Sequence, residues 1–194
     1  MRRTALAAAL VVVALPLGLA FAGTGTARWH ASLDPEAPAS AAGPGGSIDH
    51  AAAAAASDDA GGCTLPDPTG TGGCVTSRTA HLVAQLRAAF GDLPMWCWDL
   101  RPGNPRSDHP HGRACDITFG AIGRFPTPAE RAEGWAVANW LVANADPLEI
   151  AYVIWDGRIW SARSGWRTYT GGGIYNRAHP TGGHFDHAHV SVKP

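Results

Sequence analysis

Seven of the eight tryptophans lie beyond position 95, and that asymmetry decides where this chain can build a core. Residues 1–62 are dominated by Ala, Gly, Pro and Ser, with Trp29 and His30 as their one aromatic-rich point. A segment such as SIDHAAAAAASDDAGG cannot bury enough apolar surface to offset the entropy of ordering it, so residues 23–62 read as a disordered tether. Residues 63–194 hold the packing capacity, and a domain of that length buries roughly two-thirds of its unfolded surface. They contain no heptads, no fixed-period repeat and no long charge run, which sets aside coiled-coil and solenoid architectures.

The formal net charge is -1, so the charge balance offers no general attraction to nucleic acid or to an anionic membrane surface. Neither is an expected partner, and a monomer is expected. At the start of the chain, Arg2 and Arg3 precede an uncharged run over residues 4–22 that closes on Ala20, Phe21 and Ala22. This small-x-small ending defines residues 1–22 as an export signal. The same run is long enough to stay uncleaved as a membrane anchor, though Pro16 and the small residues make it a weak span. A cell-wall or secreted location follows in either case.

Cys63, Cys74, Cys97 and Cys115 are an even set beyond an export signal, the pattern of two disulfides. Three pairings are open. Cys63 with Cys74 and Cys97 with Cys115 is favoured, because the first closes a Gly/Pro/Thr-rich loop and the second staples the segments flanking the motif described below. A cysteine-ligated zinc site is disfavoured, since no CxxC pair exists and the compartment is oxidising.

Two helices are legible. SRTAHLVAQLRAAFG, from Ser77, places Leu82, Val83, Leu86 and Phe90 at helical spacing, with Gly91 placed to end the helix. A second begins at Thr127, where Pro128 takes the first helical position and Glu130 completes a capping box; it runs to about residue 145 and buries Trp135, Ala138, Leu141 and Val142. EIAYVIWDGRIW, residues 149–160, is a hairpin turning at Asp156 and Gly157. Residues 114–119 and 188–192 read as further short strands. Helices set beside a small antiparallel sheet make an α+β domain. The Gly-rich stretch 170–183 is long for a loop and reads as a lid or rim.

The chemistry concentrates in two segments, SDHPHGRACD at residues 107–116 and HFDHAH at 184–189. A catalytic zinc needs three converging nitrogen or carboxylate ligands and an open fourth position. His109 and Asp116 arise from one loop-and-strand excursion turning at Gly112. His187 and His189 alternate in a terminal strand and share a face, so that one can bind metal while the other works at the substrate.

The first segment matches, at every fixed position, the SxHxxGxAxD signature of the D-alanyl-D-alanine metallopeptidases. The last supplies the HxH of the wider group that includes lysostaphin-type endopeptidases and the hedgehog signalling domain. The resemblance covers residues 93–192. It implies a hedgehog-like or D-Ala-D-Ala-peptidase-like fold, with Zn²⁺ held by His109, Asp116 and His189. It also implies that Arg101 contacts substrate near the scissile bond. Many members carry glutamate three residues before the last ligand, where it takes a proton from the attacking water. This chain has the shorter Asp186, so the base is Asp186 or its neighbour His187.

The expected activity is hydrolysis of peptidoglycan stem peptides or cross-links at D-amino-acid bonds. The competing class is an inactive, metal-stabilised module that binds cell-wall peptide or a protein partner. Of the other polar residues, His81 and His111 read as surface or structural, and His179 and His184 as rim. Ser107 reads as a hydrogen bond orienting the motif loop, Asp99 and Asp108 as solvated charges, and Trp166 as core or groove wall.

Overall fold

Capping chemistry sets both helices of the computed structural model, which describes Ile48 and residues 62–194. The expected export signal, and the expected tether apart from Ile48 and Gly62, lie outside the described residues. Helix α1 spans Ser77–Phe90; the Thr76 hydroxyl accepts from the Thr79 amide, and Gly91, at φ 77°, donates back to the Arg87 carbonyl. Leu82, Val83 and Leu86 are fully buried. Helix α2 spans Pro128–Ala143 behind a complete Thr127/Glu130 capping box, and stops two residues short of the expected end. It buries Trp135, Ala138 and Leu141 as expected, with Val137 and Trp140 beside them, while Val142 is only partly buried.

Eight strands complete the described domain: β1 Leu65–Pro66, β2 Cys74–Val75, β3 Met95–Trp96, β4 Ala114–Thr118, β5 Ile150–Trp155, β6 Arg158–Ser161, β7 Gly165–Thr168 and β8 His187–Val192. β1 and β2 form a separate ribbon, and the other six make one antiparallel sheet in the order β3-β4-β8-β5-β6-β7. The hairpin turn at Asp156 and Gly157 has positive φ at both residues, 51° and 71°, as a type I′ turn requires. The last strand inserts at the middle of the sheet, which brings β8 alongside β4 over its whole length. One hydrophobic core joins both helices to the sheet, and Phe90 meets Trp140 edge-on at 5.5 Å. The domain is therefore α+β, a small antiparallel sheet flanked by helices. Among the described residues no helix is long and apolar enough to cross a membrane.

Both disulfides have the expected pairing, Cys63 with Cys74 and Cys97 with Cys115, at Cα separations of 5.2 and 3.8 Å. No cysteine is left free, the pattern of a protein held in an oxidising environment. Gly112 shows why the motif turn needs glycine. It sits at φ 64°, and a side chain there would run into the Cys63 sulfur and the backbone of β2.

Candidate metal centre

Register alone places two of the three metal-ligand candidates. Asp116 on β4 pairs directly with His189 on β8, on one face of the sheet. His109 arrives from a 3₁₀ turn, His109–His111, whose entry is held by the His109 amide donating to Ser107 Oγ at 3.3 Å. All three side chains are buried. His109 Nε2 lies 3.2 Å from Asp116 Oδ1, His189 Nδ1 lies 2.9 Å from the same oxygen, and the two ring nitrogens are 3.3 Å apart. Ligands at zinc distance in a tetrahedral site sit about 3.3 Å from one another, so the spacing fits a small divalent cation.

The donor set fits as well. His109 Nδ1 is 2.9 Å from the Cys97 carbonyl, and donating there leaves Nε2 with its lone pair facing the cluster. His189 Nε2 is 3.0 Å from Ser191 Oγ, so its Nδ1 can do the same. Two imidazole lone pairs and a carboxylate oxygen aimed at one point make an arrangement that a metal ion satisfies.

The second oxygen of Asp116 accepts from Arg101 Nη2 at 2.5 Å, while Arg101 Nε faces Asp99 at 2.9 Å. Burial would raise the Asp116 carboxyl, but His187, His109 and His189 outweigh it and hold the group well below the carboxylate range. Asp99 is therefore an ion-pair partner rather than a merely solvated charge.

His187 follows on the same face of β8 and lies at the cluster's edge, its Nε2 3.8 Å from Asp116 Oδ1. Asp186 points the other way. Its Oδ1 is 2.7 Å from His187 Nδ1, and its Oδ2 accepts from the Gly123 amide and the Thr181 hydroxyl, each at 2.6 Å. Against the cost of burial, His187, Thr181 and Gly123 bring its carboxyl down to about 2. Burial lowers the His187 pKa, but Asp116 and Asp186 more than offset this and raise it.

Two cavities, of about 360 and 500 Å³, open on either side of Arg101, Asp116 and His187. The first is walled by Tyr152, Tyr169 and the 170–183 segment, the second by Trp96, Trp98 and Ile122. His184 is buried in the first, its ring 4.5 Å from that of His187, and is not the rim residue expected. HFDHAH shows a third histidine ahead of the pair, but nothing in its spacing shows that this one is buried. His184 and Arg101 both adopt positive φ, 57° and 45°, an uncommon conformation that often marks functional sites.

His179 and His111 stay exposed, as expected. Trp166 is partly buried and packs edge-on against Trp135 at 5.1 Å, at the margin of the core, and it lines neither cavity. Asp108 is not solvated either: Arg113 and Tyr152 both bind it.

Fold and site together define a small disulfide-bonded α+β domain with a buried His-Asp-His cluster able to hold a metal ion. The profile of the family described as VldE, C-terminal domain, matches residues 71–184, more than half of the chain, and the chain belongs to that family. The match takes in His109 and Asp116 and ends before His187 and His189. No curated protein and no solved structure matches the chain significantly.

Proposed function

We propose that this domain is an exported zinc-dependent peptidase that hydrolyses peptidoglycan stem peptides or cross-links, at bonds involving D-amino acids. The observation that carries the reading is the cluster of His109, Asp116 and His189 with His187 braced at its edge by Asp186. The substrate class rests on the resemblance of residues 93–192 to the D-alanyl-D-alanine metallopeptidases, together with the export signal and the disulfides.

Zinc held by these three residues would supply Lewis acidity to a scissile carbonyl and bring the pKa of water toward about 7. His187 takes the proton from the attacking water and returns it to the leaving amine. Asp186 fixes the imidazole through Nδ1 and supports its positive charge. This division of labour accounts for the short carboxylate: Asp186 need only reach its neighbour. Arg101, on the wall between the two cavities, holds Asp116 and meets the substrate near the scissile bond.

The test is metal analysis of the purified protein, followed by incubation with muropeptides. One zinc per chain and release of new amino termini or D-alanine are expected. His109→Ala and His189→Ala should lose metal and activity together. Stoichiometric zinc with no cleavage of any linear or cross-linked fragment would replace the enzyme reading with a metal-stabilised binding module.

A further inference from the structure

We propose that Asp67 is a positioning residue for the ligand His109, acting through the single peptide unit that joins Cys97 to Trp98. This rests on the metal reading above. The Trp98 amide donates to Asp67 Oδ2 at 3.0 Å, and the carbonyl of the same peptide, that of Cys97, is 2.9 Å from His109 Nδ1. The peptide is trans, so its N–H and C=O point in opposite directions, one toward the carboxylate and the other toward the imidazole. Asp67, Cys97 and His109 are all buried.

The inventory of protons gives these contacts one direction. A carboxylate only accepts, a backbone amide only donates and a carbonyl only accepts, so His109 must donate from Nδ1. Its Nε2 keeps the lone pair that faces Asp116 and His189. Hydrogen bonds in series polarise one another, and an amide that donates to an anion leaves its carbonyl a stronger acceptor. The charge of Asp67 is thereby felt at His109. It fixes the tautomer and raises the basicity of the metal-facing nitrogen, as a carboxylate bonded directly to a ligand histidine does. The far nitrogen of His189 meets the Ser191 hydroxyl instead.

The loop around Asp67 is built to hold a carboxylate. Oδ1 accepts from the amide and the hydroxyl of Thr69 at 2.8 and 2.7 Å, and Oδ2 accepts from the Thr71 hydroxyl as well as from Trp98. Burial would raise the Asp67 carboxyl, but Thr71, Thr69 and Trp98 outweigh it and hold the group below its ordinary value. Thr69 has spent its hydroxyl proton on Asp67, and its Oγ1 accepts from the Cys97 amide at 3.1 Å. The amides on both sides of the Cys97 carbonyl are therefore pinned to one carboxylate, directly for Trp98 and through Thr69 for Cys97. Close packing backs the hydrogen bonds, since a side chain at Gly73 would run into the Trp98 ring. The first disulfide, Cys63 with Cys74, closes this loop.

The experiment measures zinc affinity of the full chain by competition with a chromophoric chelator, and the visible spectrum of its cobalt(II) form, in Asp67→Asn and Thr127→Ala. Asp67→Asn keeps the shape and removes the charge, and whichever way its amide turns, an NH2 group meets donors that a carboxylate oxygen had accepted. It should weaken zinc binding by about tenfold, with native circular dichroism and a shifted cobalt spectrum. Thr127→Ala weakens the cap of α2 and touches none of these contacts. It is the control for stability alone, and should keep the wild-type zinc affinity and cobalt spectrum. The wild-type chain supplies a reading that needs no variant to fold. In its zinc-loaded form, long-range proton–nitrogen correlations should show His109 protonated at Nδ1, and the Trp98 amide should resist exchange with solvent.

A folded Asp67→Asn protein with wild-type zinc affinity and cobalt spectrum would overturn the relay and leave the zinc reading intact. A Trp98 amide that exchanges freely in the wild-type chain, or an equal loss of zinc affinity in Thr127→Ala, would overturn it too. A wild-type chain without zinc affinity would overturn both readings.

Discussion

Both oxygens of Asp186 are engaged inside the fold, by His187, Gly123 and Thr181. A group so held is an orienter, and the proton transfer falls to the ring it orients. On that reading His187→Ala lowers muropeptide cleavage by about a hundredfold or more with zinc retained, as loss of a general base does. Asp186→Asn, which keeps the shape, has the smaller effect; steady-state kinetics with the opposite ranking would return the base to Asp186. The same contacts couple stability to pH. The Asp186 pKa falls from about 3.9 in the unfolded chain to about 2 in the fold, so its contribution is complete above pH 4 and is lost as the pH falls through 2. Thermal melts from pH 5 to pH 2 should show a fall in Tm that Asp186→Asn flattens. Sequence offers Asp186 and His187 equally, because spacing along a strand gives the face of a side chain and not what binds its far atoms. His109, Asp116 and His189 are legible in it because a signature fixes their spacing. His184 and Asp108 are not, because the burial of one and the partners of the other come from segments distant in sequence.

The helices show how far local chemistry reaches. Capping and periodicity are short-range, so both helix starts and the glycine stop of α1 can be read directly, as can the Asp156-Gly157 hairpin. Strands β1, β2 and β3 have two residues each and no alternation to read, and β7 is an edge strand whose one pairing partner is β6. These elements exist through their partners. Two substitutions in α2 separate local from tertiary terms. Thr127→Ala removes half of the capping box and should cost about 1 kcal/mol in chemical denaturation. Gly134→Ala should favour the isolated helix by roughly 1 kcal/mol, yet the added methyl would occupy the space of the Trp155 ring, which is fully buried. Overpacking of that kind costs typically 1–3 kcal/mol. The expected sign is therefore destabilising, and a stabilised Gly134→Ala protein would mean that Trp155 yields more readily than a buried indole should.

At the scale of the whole molecule, covalent links and metal act on the same residues. Cys97 gives its carbonyl to His109, and its disulfide partner Cys115 immediately precedes Asp116, so this one bridge ties together the supports of two ligands. Cys63 and Cys74 close a loop with a sequence separation of 11, against 18 for the second bridge. Chain entropy assigns each a stabilisation of about 3 kcal/mol, so on that ground the two should be nearly equivalent. They should differ in metal binding. Replacing Cys97 and Cys115 with serine should lower the Tm and also weaken zinc binding, because the carbonyl that orients His109 and the strand that carries Asp116 are released together. Replacing Cys63 and Cys74 should lower the Tm with a smaller effect on zinc, since that bridge supports the Gly112 turn and touches no ligand atom. Linkage supplies the check: zinc at a hundredfold excess over its Kd adds about 2.7 kcal/mol to stability. That increment, measured as the rise in Tm on adding a fixed zinc concentration, should shrink most in the variant lacking Cys97 and Cys115. Equal zinc increments in the two double variants would separate the disulfide framework from the metal centre and leave the bridges with a purely structural role.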